Sequence, residues 1–184
     1  LLPYTATPPR PFALFSNESD KVASINSFSK ILAPGLRLGW IQAHNNIIHK
    51  LTTSGLLDSG GGLNPFTSAI VHELLIAGDL AKNIAILKKN YHARLKLMNA
   101  TLKETLPQAE YITPQGGFFY WVRLAGIDTA SLREKAKSFK VDIRQGALFS
   151  TDNGMDEYMR LCFAFYEEAE IKEGIKRLSA CLRG

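Results

Sequence analysis

The chain has 184 residues, of which 46% are hydrophobic and 21% charged, and its net charge is +5. This length and composition indicate one large globular domain or two small ones. No apolar run approaches the roughly 18 residues that a membrane span needs, and no leader segment opens the chain. The sequence therefore predicts a cytoplasmic protein that does not enter a membrane.

Basic residues exceed acidic residues by 22 to 17. Much of the excess lies in one predicted helix, at Lys82, Lys88, Lys89, Arg94 and Lys96. No base-reading motif accompanies these charges, so we interpret them as a solvated helix face and expect no nucleic acid there. Cys162 and Cys181 lack the spacing of metal ligands, and we expect no metal site and no disulfide.

The first part of the chain combines short apolar runs with turn-forming residues. The run Lys21–Phe28 predicts a strand that ends near Ser27, and Leu36–Ala43 predicts a second strand. Asn45 is expected to cap a helix. After a glycine-rich break, helical spacing resumes and continues to Gly78.

The strongest periodic signal is one apolar stripe at steps of three and four, which predicts a long helix that Pro107 ends. Its members are Leu80, Ile84, Leu87, Tyr91, Leu95, Met98 and Leu102. The pattern then predicts βαβ-like pieces and a final helix. The expected pieces are a strand at Phe118–Leu124, a helix over about Thr129–Phe139, and short strands near Val141–Ile143 and Met159–Phe163. We expect two domains, residues 1–78 and 79–184.

Groups suited to bind an anion and an aldehyde are concentrated in Ser27–Gly39, which reads Ser-Phe-Ser-Lys-Ile-Leu-Ala-Pro-Gly-Leu-Arg-Leu-Gly. The Pro-Gly turn can fold the chain back, so that Arg37 returns towards Ser27. Arg37 offers a two-pronged set of donors to phosphate oxygens, and the hydroxyls of Ser27 and Ser29 offer one donor each. Lys30 lies within reach to form an imine with an aldehyde. The segment therefore indicates a dianion pocket beside an amine.

This order of residues resembles the cofactor-lysine signature of the class I/II aminotransferases of fold type I. Pro114–Trp121 is similar to the family's Gly-Gly-aromatic strand, and Tyr158–Ala164 is similar to its Arg-Leu-x-Phe strand. Gln145–Phe149 resembles the family's Pro-Gly-x-x-Phe turn, with Gln145 in place of proline. The step from Lys30 to Arg37 is most similar to the subgroup of 2-aminoadipate and kynurenine aminotransferases and MocR-type regulators.

The resemblance implies an α/β fold, the C-terminal part of the pyridoxal-phosphate-dependent transferase fold. Residues 1–78 would be the end of the large, cofactor-binding domain, and residues 79–184 the small α+β domain with a long linking helix. The resemblance also implies a homodimer in the complete protein. Several cofactor-binding residues of the family lie upstream of the lysine segment, so this piece alone is expected to be inactive.

The resemblance also implies roles for individual residues. Lys30 would hold pyridoxal 5'-phosphate as an internal aldimine and later move a proton. Ser27, Ser29 and Arg37 would bind the phosphate group. Arg160 would bind the α-carboxylate of the amino acid or 2-oxo acid substrate, a task that suits a planar, permanently charged side chain.

Three functions remain open at this point. The first is an aminotransferase that exchanges an amino group between an amino acid and a 2-oxo acid. The second is the effector-binding domain of a MocR-type transcription regulator. The third is a lyase that keeps Lys30 and Arg160 but breaks a different bond at the substrate Cα, because one fold supports several chemistries.

Overall fold

The computed structural model describes residues 3–4, 10–59, 64–152 and 154–184. The chain forms two compact units, one of Ala6–Leu87 and the other of Leu1–Thr5 together with Lys88–Gly184. The division between them falls inside one long helix. The domain boundary expected near residue 78 stays a prediction.

The Ala6–Leu87 unit contains a two-stranded antiparallel sheet and short helices. The two strands predicted on either side of the Pro-Gly turn are confirmed. Short 3-10 helices occupy Phe12–Phe15, Phe28–Lys30 and Pro34–Leu36. The regular elements are β1 (Ala23–Ser27), β2 (Gly39–Ala43), α1 (Asn45–Thr52), α2 (Gly55–Asp58) and α3 (Pro65–Ile76).

The cap of α1 is His44, and the expectation that Asn45 would cap this helix was wrong. Asn45 is already the first helical residue, while His44 has the non-helical backbone of a cap (φ −58°, ψ 148°). The Nδ1 atom of His44 accepts a hydrogen bond from the backbone N–H of Asn46 at 3.3 Å. An imidazole nitrogen thus takes the role that an asparagine oxygen was expected to play.

The long helix α4 covers Asp79–Thr105, which confirms the prediction from the apolar stripe. Its 27 residues span about 40 Å at 1.5 Å per residue. Within the described part of the chain, no helix has both the length and the apolar character that crossing a membrane requires.

The other unit contains the C-terminal part of α4 and the elements β3 (Glu110–Tyr111), β4 (Phe119–Arg123), α5 (Thr129–Ser138), β5 (Arg144–Gln145), β6 (Tyr158–Cys162) and α6 (Glu168–Arg183). Its strands form an antiparallel four-stranded sheet in the order β3-β4-β6-β5. Since β4 and β5 both run antiparallel to β6, they are parallel to each other, and α5 connects them. This split βαβ arrangement confirms the βαβ-like prediction.

The strand expected near Val141–Ile143 was misplaced, because strand pairing begins only at Arg144. The backbone N–H of Val141 donates instead to the carbonyl of Ala136, at the end of α5. Ile143 is 2% exposed and fills the core. The apolar residues here therefore close the α5 turn and supply core packing, and the ladder with β6 follows them.

The core of this unit lies between one face of the sheet and helices α4, α5 and α6. Along β4 and β6, alternate side chains enter it, and Tyr120 also donates from its hydroxyl to the Leu95 carbonyl at 3.1 Å. Burial raises the pKa of the Tyr120 hydroxyl, which keeps it a neutral donor. Fully buried members include Leu102, Leu106, Tyr120, Val122, Met159, Phe163 and Leu178.

Candidate functional site

A tight hairpin carries the lysine segment. Ser27 lies opposite Gly39 in the β1–β2 register, and the N–H of Phe28 donates to the carbonyl of Leu38 at 3.0 Å. A Cβ atom at Gly39 would lie only 2.7 Å from the carbonyl oxygen of Asn26. The close return of the chain therefore requires glycine at this position.

The two serines meet just before Lys30. The Ser27 hydroxyl oxygen accepts a hydrogen bond from the N–H of Ser29 at 3.0 Å and so caps the 3-10 helix Phe28–Lys30. The same hydroxyl donates to the Ser29 hydroxyl oxygen at 2.9 Å. Lys30 is exposed, and within the described residues its ammonium group has no hydrogen-bond or ion-pair partner.

Phe28 anchors this turn to the core of its unit. Its side chain is 9% exposed and belongs to a small core with Val71 and Leu80. Its ring also lies 4.6 Å from the ring of Trp40, measured between centroids. Burial of the residue between Ser27 and Ser29 therefore holds the polar groups of the turn at the surface.

Arg37 occupies the left-handed region of backbone conformation, with φ 49° and ψ 39°. A non-glycine residue in this region costs on the order of 1–3 kcal/mol, and such strain is concentrated at functional sites. Its Nη1 atom donates to the Pro34 carbonyl at 3.2 Å. The hairpin returns the backbone beside Ser27 as expected, but among the described contacts the Arg37 guanidinium does not bond to Ser27 or Ser29.

Two asparagines that the sequence did not single out bind the lysine loop. The side-chain nitrogen of Asn83, on α4, donates to the Ile31 carbonyl at 2.8 Å. The side-chain nitrogen of Asn64 donates to the Leu36 carbonyl at 3.3 Å. These partners are 52 and 28 residues apart in sequence, so no local spacing could have revealed them.

Arg160 belongs to the other unit. It lies on β6, opposite both Trp121 and Arg144, and points away from the core that its neighbours Met159 and Leu161 enter. Its guanidinium carbon lies 4.1 Å from the centroid of the Phe119 ring and 4.7 Å from that of the Phe149 ring. Arg160 is therefore held by two aromatic rings and is not a simple solvated strand residue.

The position of Phe149 depends on a close approach at Gly146. A Cβ atom at Gly146 would lie 2.3 Å from the carbonyl oxygen of Met155 and 2.7 Å from the Cβ of Tyr158. Gly146 begins the 3-10 helix that ends at Phe149, and the Phe149 ring meets Trp121 edge-on at 5.5 Å. The Gly-x-x-Phe spacing thus serves to place an aromatic ring beside Arg160.

The surroundings of Arg160 carry unbalanced positive charge. Arg160 and Arg144 both line a cavity of about 780 Å³, and neither forms an ion pair with a described carboxylate. Asp142, also in the cavity lining, is bound by Arg133 at 2.7 Å, and these hydrogen bonds lower the pKa of its carboxyl group. Glu170 and Glu173 also line the cavity, so basic residues outnumber acidic ones there by only four to three. This small excess favours an anionic ligand.

Comparison with known proteins places these features in a family. The model for aminotransferase class I and II matches residues 4–178. Aromatic-amino-acid aminotransferase 1 of Thermococcus litoralis is 34% identical over 99% of this chain and 44% of its own length. The uncharacterized HTH-type transcriptional regulator YdfD of Bacillus subtilis is 27% identical over 96% of this chain and 36% of its own length.

Among solved structures, the alpha-aminoadipate aminotransferase LysN from Thermus thermophilus, complexed with N-(5'-phosphopyridoxyl)-L-leucine, matches with a TM-score of 0.89. The match covers 100% of this chain and 48% of that one, at 26% identity. The chain thus spans less than half the length of each of these relatives, and the expected transferase fold is confirmed. This chain belongs to the class I and II aminotransferase family.

Proposed function

We propose that the complete protein is a pyridoxal-phosphate-dependent aminotransferase that exchanges an amino group between an amino acid and a 2-oxo acid. The observation that carries this proposal is the lysine hairpin, in which Lys30 has no partner among the described residues and directly follows the paired hydroxyls of Ser27 and Ser29. Family membership and the names of the two aminotransferase relatives support it. We further propose a cytoplasmic homodimer.

The residues of the hairpin fit the cofactor. The hydroxyls of Ser27 and Ser29 are hydrogen-bond donors 2.9 Å apart, a spacing suited to neighbouring phosphate oxygens. Arg37 has guanidinium nitrogens beyond the one that donates to Pro34. When bound, pyridoxal phosphate supplies an aldehyde and an electron sink for the bonds at the substrate Cα.

Each residue has a separate task in the proposed reaction. Lys30 would hold the cofactor through its amine and would carry a proton to or from the substrate Cα. Ser27, Ser29 and Arg37 would hold its phosphate. Arg160 would orient the substrate by donating two hydrogen bonds from its planar guanidinium to the α-carboxylate. The two phenyl rings restrict the orientation of the guanidinium.

The proposal is tested in the complete protein with pyridoxal phosphate. Borohydride treatment followed by peptide mass spectrometry is expected to find the cofactor covalently fixed on Lys30. Lys30→Ala should lose this adduct and its long-wavelength absorption band, and amino transfer should fall by at least about 10²-fold. Lys50→Ala, which changes an exposed lysine of α1, is the matched control. A folded wild-type protein that shows no adduct would refute the proposal.

The similarity to YdfD favours a second candidate, an effector-binding domain of a transcription regulator. The same chemistry would then capture the cofactor on Lys30 without turnover. An amino-acid screen separates the two functions. Transfer of the amino group to a 2-oxo acid supports the enzyme, whereas a Lys30 adduct with no transfer from any proteinogenic amino acid supports the regulator.

A further inference from the structure

We infer that Asn83 is a positioning residue for Lys30, because it fixes the backbone that directly follows the lysine. This inference rests on the proposed function and extends it to a residue outside the lysine segment. Ile31 is the next residue after Lys30, and its carbonyl accepts the 2.8 Å hydrogen bond from Asn83. Movement of this carbonyl would also move the backbone of Lys30, from which the lysine side chain extends.

Asn83 is itself firmly placed. It lies one turn into α4, between Leu80, which is 6% exposed, and Ile84, which packs against the same small core. Ile31 and Leu32 also pack against that core. The hydrogen bond between Asn83 and Ile31 therefore joins two backbones that apolar contacts already hold on both sides.

Asn64 fixes the other end of the same loop, just before Arg37. Its side-chain oxygen accepts from the N–H of Thr67 at 3.4 Å at the start of α3, which leaves its nitrogen to donate to Leu36. Between the two asparagines, the turn bonds from Leu36 to Ala33 and from Arg37 to Pro34 are long, at 3.4 Å each. Closer to Lys30, the N–H of Leu32 donates to the Phe28 carbonyl at 2.8 Å. The two amides thus add support to a loop whose backbone bonds are short at its start and long at its end.

Such support matters because catalysis depends on placement. A displacement of about 1 Å can cost on the order of 10²-fold in rate, even when the substitution lies away from the reacting atoms. Lys30 has a long flexible side chain, so the position of its backbone limits where the amine can reach. Asn83 acts through this backbone and does not need to touch the cofactor.

The test uses the complete protein with pyridoxal phosphate and compares Asn83→Ala, Asn83→Asp and Asn83→Gln. Asn83→Asp keeps the shape but, once ionised, has no donor for the Ile31 carbonyl, whereas Asn83→Gln keeps an amide donor. Asn90→Ala is the matched control, an exposed asparagine on the same helix. The readouts are the rate of cofactor capture on Lys30, fixed by borohydride and counted by mass spectrometry, and the melting temperature of the cofactor-free protein.

We expect capture to slow by about 10-fold to 10²-fold in Asn83→Ala and Asn83→Asp. Asn83→Gln should recover part of the loss, and Asn90→Ala should match the wild type. If Asn83→Ala does not fold, the comparison of the Asp and Gln variants decides. Capture by Asn83→Asp within twofold of Asn90→Ala would overturn this inference alone. Absence of a Lys30 adduct in the wild type would overturn the proposed function together with it.

Discussion

The centroid of the Phe119 ring lies 4.1 Å from the guanidinium carbon of Arg160. Phe119 belongs to β4, which pairs with the strand of Arg160, β6. A cation beside an aromatic face gains on the order of 0.5–2 kcal/mol, depending on how far it is desolvated. The ring of Phe119 therefore restricts the orientation of the Arg160 guanidinium and leaves its N–H groups to bind a ligand.

The first prediction concerns this pair. With the proposed function, Arg160→Lys in the complete protein should raise the KM for both the amino acid and the 2-oxo acid by about 10-fold to 10²-fold, because a charged hydrogen bond contributes roughly 1.5–3 kcal/mol. Phe119→Leu should raise both KM values in the same direction but less. Phe165→Leu, at a ring that is 79% exposed, is the control. Unchanged KM values in Arg160→Lys would remove Arg160 from the site.

A second prediction compares two glycines of the same unit. Gly146→Ala should destabilise the protein, because its Cβ has no room and the 3-10 helix that carries Phe149 must shift. Gly174→Ala, on α6, should stabilise the protein by about 0.4–1 kcal/mol, since nothing lies within 4 Å and alanine favours the helix. Melting temperatures measure the change in stability of each variant. Equal changes in the two variants would contradict the crowding at Gly146 and the open space at Gly174.

The third prediction concerns the dependence of stability on pH. Hydrogen bonds from Arg133 lower the pKa of the Asp142 carboxyl group in the folded protein. A carboxyl with a lowered folded pKa contributes stability above its unfolded pKa, near 3.9, and loses it as the pH falls through the folded value. The difference in melting temperature between wild type and Asp142→Asn should therefore shrink on acidification from pH 7 to pH 3.

The control for this measurement is Asp156→Asn, which changes an exposed aspartate of the same unit. Its melting temperature should stay close to that of the wild type across the same pH range. A difference between wild type and Asp142→Asn that stays constant down to pH 3 would show that the Arg133 ion pair contributes no pH-dependent stability.

The fourth prediction tests the core. Leu102 is fully buried on α4, so Leu102→Ala should lower the free energy of unfolding of its unit by about 2–5 kcal/mol. Lys103→Ala, at the next and exposed position of the helix, should change it by less than about 0.5 kcal/mol. Denaturant unfolding measures both free energies. Similar losses in the two variants would mean that Leu102 does not stabilise the core.

The sequence predicted those parts of the fold whose signal is local. The apolar stripe from Leu80 to Leu102 revealed α4 because a helix repeats its buried face every three to four residues. The cap of α1 was missed because histidine is not among the preferred cap residues, whereas the residue beside it, Asn45, is of a preferred type. The two-residue strand β3 has too few residues for any alternation to be visible.

The candidate site was predictable only as far as its residues are contiguous. Ser27, Ser29 and Lys30 stand together in sequence, and the structure places the two hydroxyls in contact. The amide of Asn83 reaches the loop from 52 residues away, so its role depends on tertiary packing. The left-handed backbone of Arg37 was also hidden, because arginine carries no preference for that conformation.

Tyr4 belongs to the same compact unit as Lys88–Gly184, and its attachment limits how that unit could be produced alone. Its N–H donates to the Gln115 carbonyl, its hydroxyl donates to the Gly117 carbonyl, and its ring stacks on His92 at 5.5 Å. Burial raises the pKa of the hydroxyl to about 12, so it remains a donor at neutral pH. A protein expressed from residue 88 onward would leave the carbonyls of Gln115 and Gly117 without these donors. The isolated domain should therefore be assembled with a peptide that contains Tyr4, either added in trans or joined by a short linker.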